Sequence, residues 1–297
     1  MVEKSLRSEG AELDEVIDEL QQEDRVKEVS GWDSGFANLD RALDGIRPGL
    51  HLLIGPPGIG KTSFARQLLD QIAERNGVPA IFFSFVESKK ELRIKTLARL
   101  SGLDNREIRR GSAYVLHWYG VPRLGGNEAA ELPPSWEKLK RMAVEAKGWL
   151  DSVYLSECER NTSVEEIEVH VRDIGAKFGR EPLIVIDDCQ RLRPADEAVD
   201  ARLPIVVQQL EALAAGCRTP LFATWPDLEG NSGLAQRWSE KIPGADVVLV
   251  MQRDPERTKM LIEPSQAIIL HIVKNRGGEK CKLAFDFFPS FSRFQEA

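Results

Sequence analysis

Residues 55–62 read Gly55-Pro56-Pro57-Gly58-Ile59-Gly60-Lys61-Thr62 and fit the pattern G-x-x-x-x-G-K-[ST] at every fixed position. An apolar run, Leu50 to Ile54, precedes this stretch, and a helix-periodic segment, Ser63 to Arg75, follows it. A strand, a glycine-rich loop and a helix in this order aim successive backbone N–H groups and the positive helix terminus at one point. The stretch therefore predicts a binding site for a polyphosphate.

The two residues that end the loop indicate the chemistry of the site. Lys61 supplies a point charge for the β- and γ-phosphates, and the Thr62 hydroxyl is a ligand for Mg²⁺. We therefore expect ATP as the substrate and Mg²⁺ as the cofactor, with nucleotide binding without hydrolysis as the alternative. The residues expected to bind the nucleotide are Gly55, Pro56, Pro57, Gly58, Ile59, Gly60, Lys61, Thr62 and Ser63.

Apolar runs and helix-periodic segments alternate along the rest of the chain. The runs from Ala80 to Phe85 and from Leu183 to Ile186 are each followed by such a segment. This alternation predicts an α/β fold, with a mainly parallel central sheet flanked by helices. No helical segment separates the last three runs, which predicts antiparallel strands at the C-terminal edge. These runs are Ala245 to Met251, Ala267 to Val273 and Lys282 to Phe285.

Two acidic residues follow the most apolar of these runs. Asp187 comes directly after four apolar residues, at the predicted carboxyl end of a central strand. Ligands of parallel α/β sheets bind at that edge, so Asp187 is expected to hold Mg²⁺ together with Thr62. Asp188 fits the same site or, equally well, the N-cap of the next helix.

A third carboxylate is a candidate for the catalytic base. Glu87 follows the run from Ala80 to Phe85, which we expect to lie next to the strand before the phosphate loop. This position predicts a carboxylate near the γ-phosphate, where it could orient water. The alternative is a solvated side chain that neighbours Lys89 and Lys90.

The chain is acidic as a whole. Its 297 residues include 40 Lys and Arg against 47 Asp and Glu, a formal net charge of −7. This charge argues against a broad basic coat for nucleic acid and leaves room for a local basic groove. The polar N-terminus and the absence of a long apolar run predict no membrane segment. Four scattered cysteines without metal or redox spacing favour a cytoplasmic protein.

Two stretches lie outside the alternating pattern. Residues 1–30 are strongly charged and carry an apolar stripe of helical period from Leu13 to Leu20. Such a stripe packs on its own domain or on a neighbouring subunit. Residues 111–135, rich in proline and glycine, predict an inserted surface loop, with or without a role in partner contact. We expect 31–297 to form one domain.

Several stretches, taken in chain order, match one known family. They are Ser34-Gly35-Phe36-x-x-Leu39-Asp40, Arg47-Pro48-Gly49, Phe82-Phe83-Ser84, Leu183-Ile184-Val185-Ile186-Asp187 with Gln190, Ala245-Asp246-Val247-Val248-Leu249, Lys274-x-Arg276-Gly277 and Lys282-Leu283-Ala284-Phe285. From Gly31 to Phe294 the chain resembles the C-terminal ATPase domain of the bacterial replicative helicase DnaB. The resemblance implies a RecA-like P-loop NTPase core that works as a hexameric ring in DNA replication. It does not extend to the family's N-terminal primase-interacting domain.

The resemblance also implies roles that depend on assembly. Lys274 and Arg276 match the family's trans-acting pair, which reaches the ATP of a neighbouring subunit. An arginine in that position neutralises charge that develops on the γ-phosphate. The alternative is a pair of exposed charges at a strand end. The predicted helix in residues 1–30 matches the family's linker helix, which docks on the next subunit.

The chain departs from the family pattern at two catalytic positions. The family has its catalytic glutamate two residues after Ser84, where this chain has Val86 and places Glu87 one residue later. Neighbouring residues of a strand point to opposite faces, unless a bulge at the strand end restores the direction. The family also has a Ser-Gln pair whose glutamine senses the γ-phosphate, where this chain reads Thr224-Trp225-Pro226. Both differences concern hydrolysis and its coupling to movement rather than nucleotide binding.

In the family, DNA lies in the central pore against loops that follow two strands of the sheet. The matching segments are Arg191 to Glu197 and Asp227 to Lys241. Glycine-rich backbone can hold phosphates with little positive charge, and six copies around one strand multiply a weak contact. The candidate single-stranded DNA contacts are Arg191, Arg193, Gly230, Asn231, Gly233, Arg237 and Lys241.

Two functions therefore stay open. The first is a ring-forming, ATP-hydrolysing motor of the DnaB helicase type, with single-stranded DNA and replication proteins as partners. The second is a nucleotide-gated oligomeric interaction protein, such as a helicase accessory protein or a KaiC-like regulator, with little turnover. Val86 and Trp225 favour the second.

Overall fold

A computed structural model of the chain describes residues 29–110, 134–160, 162–193, 199–228, 236, 238, 242 and 244–297. The amphipathic segment from Leu13 to Leu20 lies outside these residues. So does the predicted loop at 111–135, apart from its last two residues, which begin a helix instead.

Strands in the described part of the chain form one nine-stranded sheet. They are β1 (Gly49–Gly55), β2 (Ala80–Ser84), β3 (Val153–Glu157), β4 (Leu183–Asp187), β5 (Pro220–Pro226), β6 (Val247–Arg253), β7 (Gln266–Asn275), β8 (Lys282–Phe288) and β9 (Arg293–Glu296). The order across the sheet is β3-β2-β4-β5-β1-β6-β7-β8-β9. The first six strands are parallel, and β7, β8 and β9 each pair antiparallel with the strand before them. The predicted fold class is confirmed.

Helices fill the connections between these strands. They are α1 (Ala37–Leu43), α2 (Lys61–Asn76), α3 (Lys89–Ser101), α4 (Asn105–Arg110), α5 (Pro134–Leu150), α6 (Val164–Phe178), α7 (Val199–Cys217) and the one-turn α8 (Pro255–Thr258). The sequence pattern predicted α2, α3, α6 and α7 but not α1, α4, α5 or β9. None of the helices described here is both long and apolar enough to cross a membrane.

The strand order corrects one expectation from the sequence. We expected β2 to lie next to β1, but β4 and β5 lie between them. Chain order does not determine sheet order, because each crossover helix can carry the chain past a strand that is added later. The strand that bears Asp187 is therefore closer to the phosphate loop than the strand that precedes Glu87.

Strand β1 is buried on both faces of the sheet. Side chains alternate along a strand, so Leu52 and Ile54 pack in the cluster that includes α6 and α7, whereas Leu53 packs in the cluster that includes α2. A parallel strand covered on both sides carries an unbroken apolar run, which is the pattern seen in the sequence. This packing holds the end of β1, and with it the phosphate loop, in a fixed position.

A buried polar network attaches α2 to α3. Arg66 pairs with Asp70 at 2.8 Å, and both side chains are about 2% exposed. Asp70 also accepts a hydrogen bond from Thr96 at 2.7 Å and pairs with Arg99. Because a buried charge is costly unless it is paired and hydrogen-bonded, these two helices are held in one relative position.

One buried histidine makes the stability of the fold depend on pH. His51 of β1 is 2% exposed and stacks on Phe222 of β5 with ring centroids 4.6 Å apart. Burial lowers the pKa of His51 from 6.5 to about 4. The unfolded chain therefore binds more protons than the folded chain between about pH 4 and 6.5, and stability falls as pH falls through that window.

We predict that replacing this histidine removes that part of the pH dependence. Between about pH 7 and pH 5, the unfolding free energy should fall by about 1–2 kcal/mol more in the wild type than in His51→Phe, which keeps a ring against Phe222. Urea unfolding at several pH values measures the difference. The control His170→Phe, at an exposed position, should keep the wild-type slope. Equal slopes in wild type and His51→Phe would refute the assignment.

Candidate nucleotide-binding site

The loop between β1 and α2 has a backbone shape that depends on glycine. Gly60 adopts φ +106°, and a Cβ atom there would lie 2.9 Å from the rings of Phe287 and Phe294. Gly58 adopts φ +73°, which also lies in the left-handed region. The loop ends at the N-terminus of α2, where unpaired N–H groups attract anions. The C-terminal strands β8 and β9 thus help to hold the phosphate loop, an arrangement that the sequence did not predict.

The side chain of Lys61 folds back into the loop that precedes it. Its Nζ donates hydrogen bonds to the carbonyl oxygens of Gly55 at 2.7 Å and Pro56 at 3.1 Å. Burial lowers the pKa of Lys61, while the nearby carboxylates of Asp187, Asp188 and Asp227 act in the opposite direction. A cationic group surrounded by backbone N–H donors at a helix terminus suits a polyphosphate anion.

Asp187 is buried at the carboxyl end of β4 and is held by two threonines. Thr62 donates to its Oδ2 and Thr224 donates to its Oδ1, both at 2.8 Å. Burial raises the pKa of Asp187 to about 6, and the nearby charges of Glu87 and Asp188 raise it further, whereas the two hydrogen bonds lower it. Thr62 and Asp187, the two residues that the sequence proposes for Mg²⁺, are thus in direct contact.

The donor set around Asp187 fits Mg²⁺. The ion prefers oxygen ligands and keeps several waters, which need acceptors in the surrounding protein. Within the described residues, Glu87 Oε2 and Asp188 Oδ1 are buried acceptors that have no hydrogen-bond partner. Thr62 and Asp187 would therefore hold the ion, and the two unpaired oxygens would accept hydrogen bonds from its waters.

Thr224 contacts the acidic residues of the site, a role that the sequence did not predict. The sequence pointed to this residue only because the chain differs there from the family pattern. Its Oγ1 donates to Asp187 and also accepts the N–H of Asp188 at 2.7 Å. Asp188 adopts φ +67°, which is unusual for a residue other than glycine. Asp188 occupies the N-cap position of a 3₁₀ turn, Cys189–Arg191, but its side chain makes no capping hydrogen bond there. Its carboxylate pairs with Arg191 at 2.7 Å instead.

Glu87 points toward the site, although β2 is not adjacent to β1. Strand β2 ends at Ser84, whose Oγ accepts the N–H of Glu87 at 3.0 Å. This turn leaves Val86 56% exposed and brings Glu87 inward, where its carboxylate pairs with Lys95 at 3.2 Å. Lys95 also donates to Ser63, at the start of α2, at 3.2 Å. Glu87 comes one residue later than the family's glutamate, which on a regular strand would point its side chain to the opposite face. A turn after β2, rather than a bulge within it, points Glu87 inward.

The end of β5 differs from the family pattern in structure as well as in sequence. Trp225 is 2% exposed and packs in the apolar cluster that includes α6 and α7. Two residues later, Asp227 donates its N–H to the carbonyl oxygen of Gly55 at 3.0 Å. Its carboxylate accepts a hydrogen bond from the indole of Trp238 at 2.6 Å. Asp227 was not identified from the sequence, because no motif marks it.

Lys274 and Arg276 lie near the amino ends of β1 and β6, whereas the phosphate loop follows the carboxyl end of β1. Arg276 pairs with Asp246 at 2.7 Å, and Asp246 accepts the N–H of Leu50 at 2.9 Å, at the amino end of β1. From Leu50 to Gly55 the strand rises about 16 Å. A bulge where β7 pairs with β6, beside Lys274, adds twist at this edge. These side chains therefore lie far from the phosphate loop of their own chain.

The structure describes two of the candidate DNA contacts. Arg191 is half-buried and bonded to Asp188, and Arg193 is exposed two residues further on. The other candidates lie outside the described residues: Gly230, Asn231, Gly233, Arg237 and Lys241.

The sheet order, the phosphate loop and the Thr62–Asp187 contact define a P-loop nucleotide-binding protein with a RecA-like core. The family model "DnaB-like helicase C terminal domain" matches residues 31–225. The chain belongs to this family of DnaB-like helicase C-terminal domains.

The curated relatives are replicative helicases of greater length. The replicative DNA helicase DnaB of Pasteurella multocida is 26% identical over 280 residues, which cover 90% of this chain and 55% of that protein. The DnaB of Geobacillus stearothermophilus is 23% identical over 289 residues, which cover 91% of this chain and 57% of that protein. The chain thus spans little more than half the length of these relatives.

Solved structures show the same fold. An ATPase domain superposes with a TM-score of 0.75 at 20% identity, over 99% of this chain and 100% of that one. A DnaB-like replicative helicase, solved in a study of its interactions with primase, superposes with a TM-score of 0.72 at 20% identity. That match covers 99% of this chain and 68% of the helicase.

We predict that the Thr224 hydroxyl is needed to stabilise the acidic end of β4. Thr224→Val removes the donor to Asp187 and the acceptor for the Asp188 N–H, which should lower the unfolding free energy by about 1–3 kcal/mol. Thr224→Ser, which keeps the hydroxyl, is the matched control and should cause less than half that decrease. Urea unfolding measures both. A Thr224→Val variant as stable as wild type would show that the two bonds contribute nothing.

Proposed function

We propose that this chain is an ATP-hydrolysing motor domain of the DnaB helicase type, which acts on DNA as part of a ring. The observation that carries the proposal is the arrangement at the carboxyl edge of the sheet. Thr62 and Asp187 are in contact, and Glu87 faces the same acidic cluster. The turn that directs Glu87 toward Asp187 and Asp188 supports hydrolysis over nucleotide binding alone, because it brings a carboxylate to the phosphate end of the site.

Each residue of the site has a distinct role in this proposal. The loop N–H groups and Lys61 bind the β- and γ-phosphates, and Thr62 and Asp187 hold Mg²⁺. When bound, the ion neutralises phosphate charge and orients the γ-phosphate. Glu87 orients the attacking water and accepts its proton, and Lys95 holds the Glu87 carboxylate in position.

The proposal includes assembly into a homo-oligomer, with a hexameric ring as the expected form. Lys274 and Arg276 cannot reach the phosphate loop of their own chain across the length of β1, but they lie on an edge that a second copy could approach. A head-to-tail ring places such an edge beside the phosphate loop of the neighbour. The segment before residue 31 is proposed to dock on that neighbour.

Single-stranded DNA in the ring and replication proteins around it are the proposed partners, and the cytoplasm is the proposed location. The curated relatives are named as replicative helicases, which supports this assignment. We propose residues 31–297 as the ATPase domain, with the DNA contacts among the seven candidates given above.

A nucleotide-gated interaction protein with little turnover is the second candidate. The observation that favours it is Trp225, a buried indole at the position of the family's sensor glutamine. Without that amide, nucleotide state would be coupled less directly to movement. This candidate predicts tight ATP binding and ATP-dependent oligomers, but neither appreciable hydrolysis nor unwinding.

We predict DNA-stimulated ATP hydrolysis that depends on Glu87. Glu87→Gln should lower kcat about 10²–10³-fold and leave nucleotide affinity within a few-fold, because it removes the base but not the phosphate contacts. Lys61→Ala should abolish binding and turnover together. The matched control is Glu91→Gln, which alters a carboxylate on α3 that pairs with Arg109 and should stay near wild type.

Phosphate release with and without single-stranded DNA, and light scattering with ATP, provide the measurements. Background turnover in the wild type, combined with ATP-dependent assembly, would favour the second candidate over the motor.

We predict that Arg276 acts on the nucleotide of a neighbouring subunit. Lys61→Ala and Arg276→Ala should each be inactive alone. Mixed in equal amounts, they should regain about one quarter of wild-type turnover, because that share of interfaces pairs an intact loop with an intact arginine. The control mixes Lys61→Ala with the double variant and should regain none. Near wild-type turnover by Arg276→Ala alone would contradict a role in trans.

A further inference from the structure

Three arginines converge on a cleft beside the acidic end of β4. The cleft has a volume of about 320 Å³ and is lined by Arg160, Gln190, Arg191 and Arg202. These residues come from separate parts of the fold: the segment after β3, the 3₁₀ turn after β4, and the first turns of α7. In a chain with a net charge of −7, such a concentration of positive charge is local rather than a general property of the surface.

Hydrogen bonds hold two of the arginines against the cleft. Arg202 donates from Nη1 to the carbonyl oxygen of Gln190 at 2.8 Å. Arg191 donates from Nε to Asp188 at 2.7 Å and from Nη1 to the carbonyl oxygen of Phe85 at 3.4 Å. These bonds fix the positions of both guanidinium groups at the cleft.

A fourth arginine, Arg193, follows the cleft residue Arg191 two positions further along the chain. The N–H of Arg193 donates to the carbonyl oxygen of Thr162 at 3.3 Å, which brings the chain after β4 alongside the chain after Arg160. Arg160 and Arg193 are both exposed. The positive groups thus extend out of the cleft along the surface, which suits an extended polyanion better than a single small anion.

We propose that this cleft binds a backbone phosphate of single-stranded nucleic acid. Planar guanidinium groups match the oxygens of a phosphodiester in pairs, and three of them line this one cleft. The assignment rests on the proposed function, since it names a site for the DNA on which the motor acts. It adds Arg160 and Arg202, which lie outside the loops that the family resemblance points to.

The test uses the full chain and a fluorescent oligo(dT) probe. Arg160→Ala and Arg202→Ala should each weaken binding about 3- to 10-fold in anisotropy titrations, and the slope of log affinity against log salt should become shallower by about 0.7 for each phosphate that is no longer neutralised. Arg191 is left intact because it also holds Asp188. Arg172→Ala, at an exposed position on α6 paired with Glu168, removes the same charge elsewhere and should keep the wild-type affinity and slope.

The outcomes separate this inference from the proposed function. Wild-type protein that fails to bind the probe would overturn both. Wild-type binding that Arg160→Ala, Arg202→Ala and the charge reversal Arg160→Glu all leave unchanged would overturn the cleft alone. Thermal unfolding confirms that each variant is folded.

A third arm tests free phosphate as the source of the anion. Inorganic phosphate, added at constant ionic strength, should not displace the probe from the wild type. Displacement at millimolar phosphate that disappears in the Arg160→Ala, Arg202→Ala double variant would assign the cleft to the free ion instead.

Discussion

The carboxylate of Asp187, shared between the hydroxyls of Thr62 and Thr224, is the contact on which the site depends. It joins the ends of three neighbouring strands, because Thr62 follows the loop after β1 and Thr224 lies near the end of β5. A buried carboxylate needs such donors to stay charged, and the pKa of Asp187, raised to about 6, shows that the two bonds offset burial only in part. A cation at this edge would compensate for the rest, which is the chemistry that a nucleotide site with Mg²⁺ requires.

Sheet order explains why the other functional groups lie where they do. Because β5 pairs with β1 and β4 pairs with β5, the carboxyl ends of these strands lie next to the phosphate loop. Glu87, which follows the more distant β2, reaches the site by means of a turn. The same parallel arrangement places Arg276 at the amino end of β1, anchored through Asp246. The chain therefore carries a phosphate site and a cationic group at opposite ends of its parallel strands. The proposed ring would bring the two together between neighbouring copies.

The parts of the molecule that sequence predicted are those governed by local patterns. The phosphate loop, the Asp187 strand and the main helices follow from glycine spacing and apolar periodicity, and the structure contains all of them. Sheet order, the inward turn of Glu87 and the part played by Thr224 depend on contacts between residues distant in the chain, which periodicity does not encode. Asp227 and β9 were missed for the same reason. The predictions for residues 1–30, for the 111–135 loop and for all seven DNA contacts stay predictions.

The arginine cleft and the nucleotide site are joined by a short chain of bonds. Arg191 binds the carboxylate of Asp188, and the N–H of Asp188 donates to the same Thr224 oxygen that bonds Asp187. Asp188 is held at φ +67°, a conformation that persists because its surroundings fix it. Asp188 and Thr224 therefore stand between the arginines of the cleft and the Asp187 carboxylate, and each makes a bond to both sides. The position of the cleft is thus fixed by the same bonds that hold the end of β4 against β5.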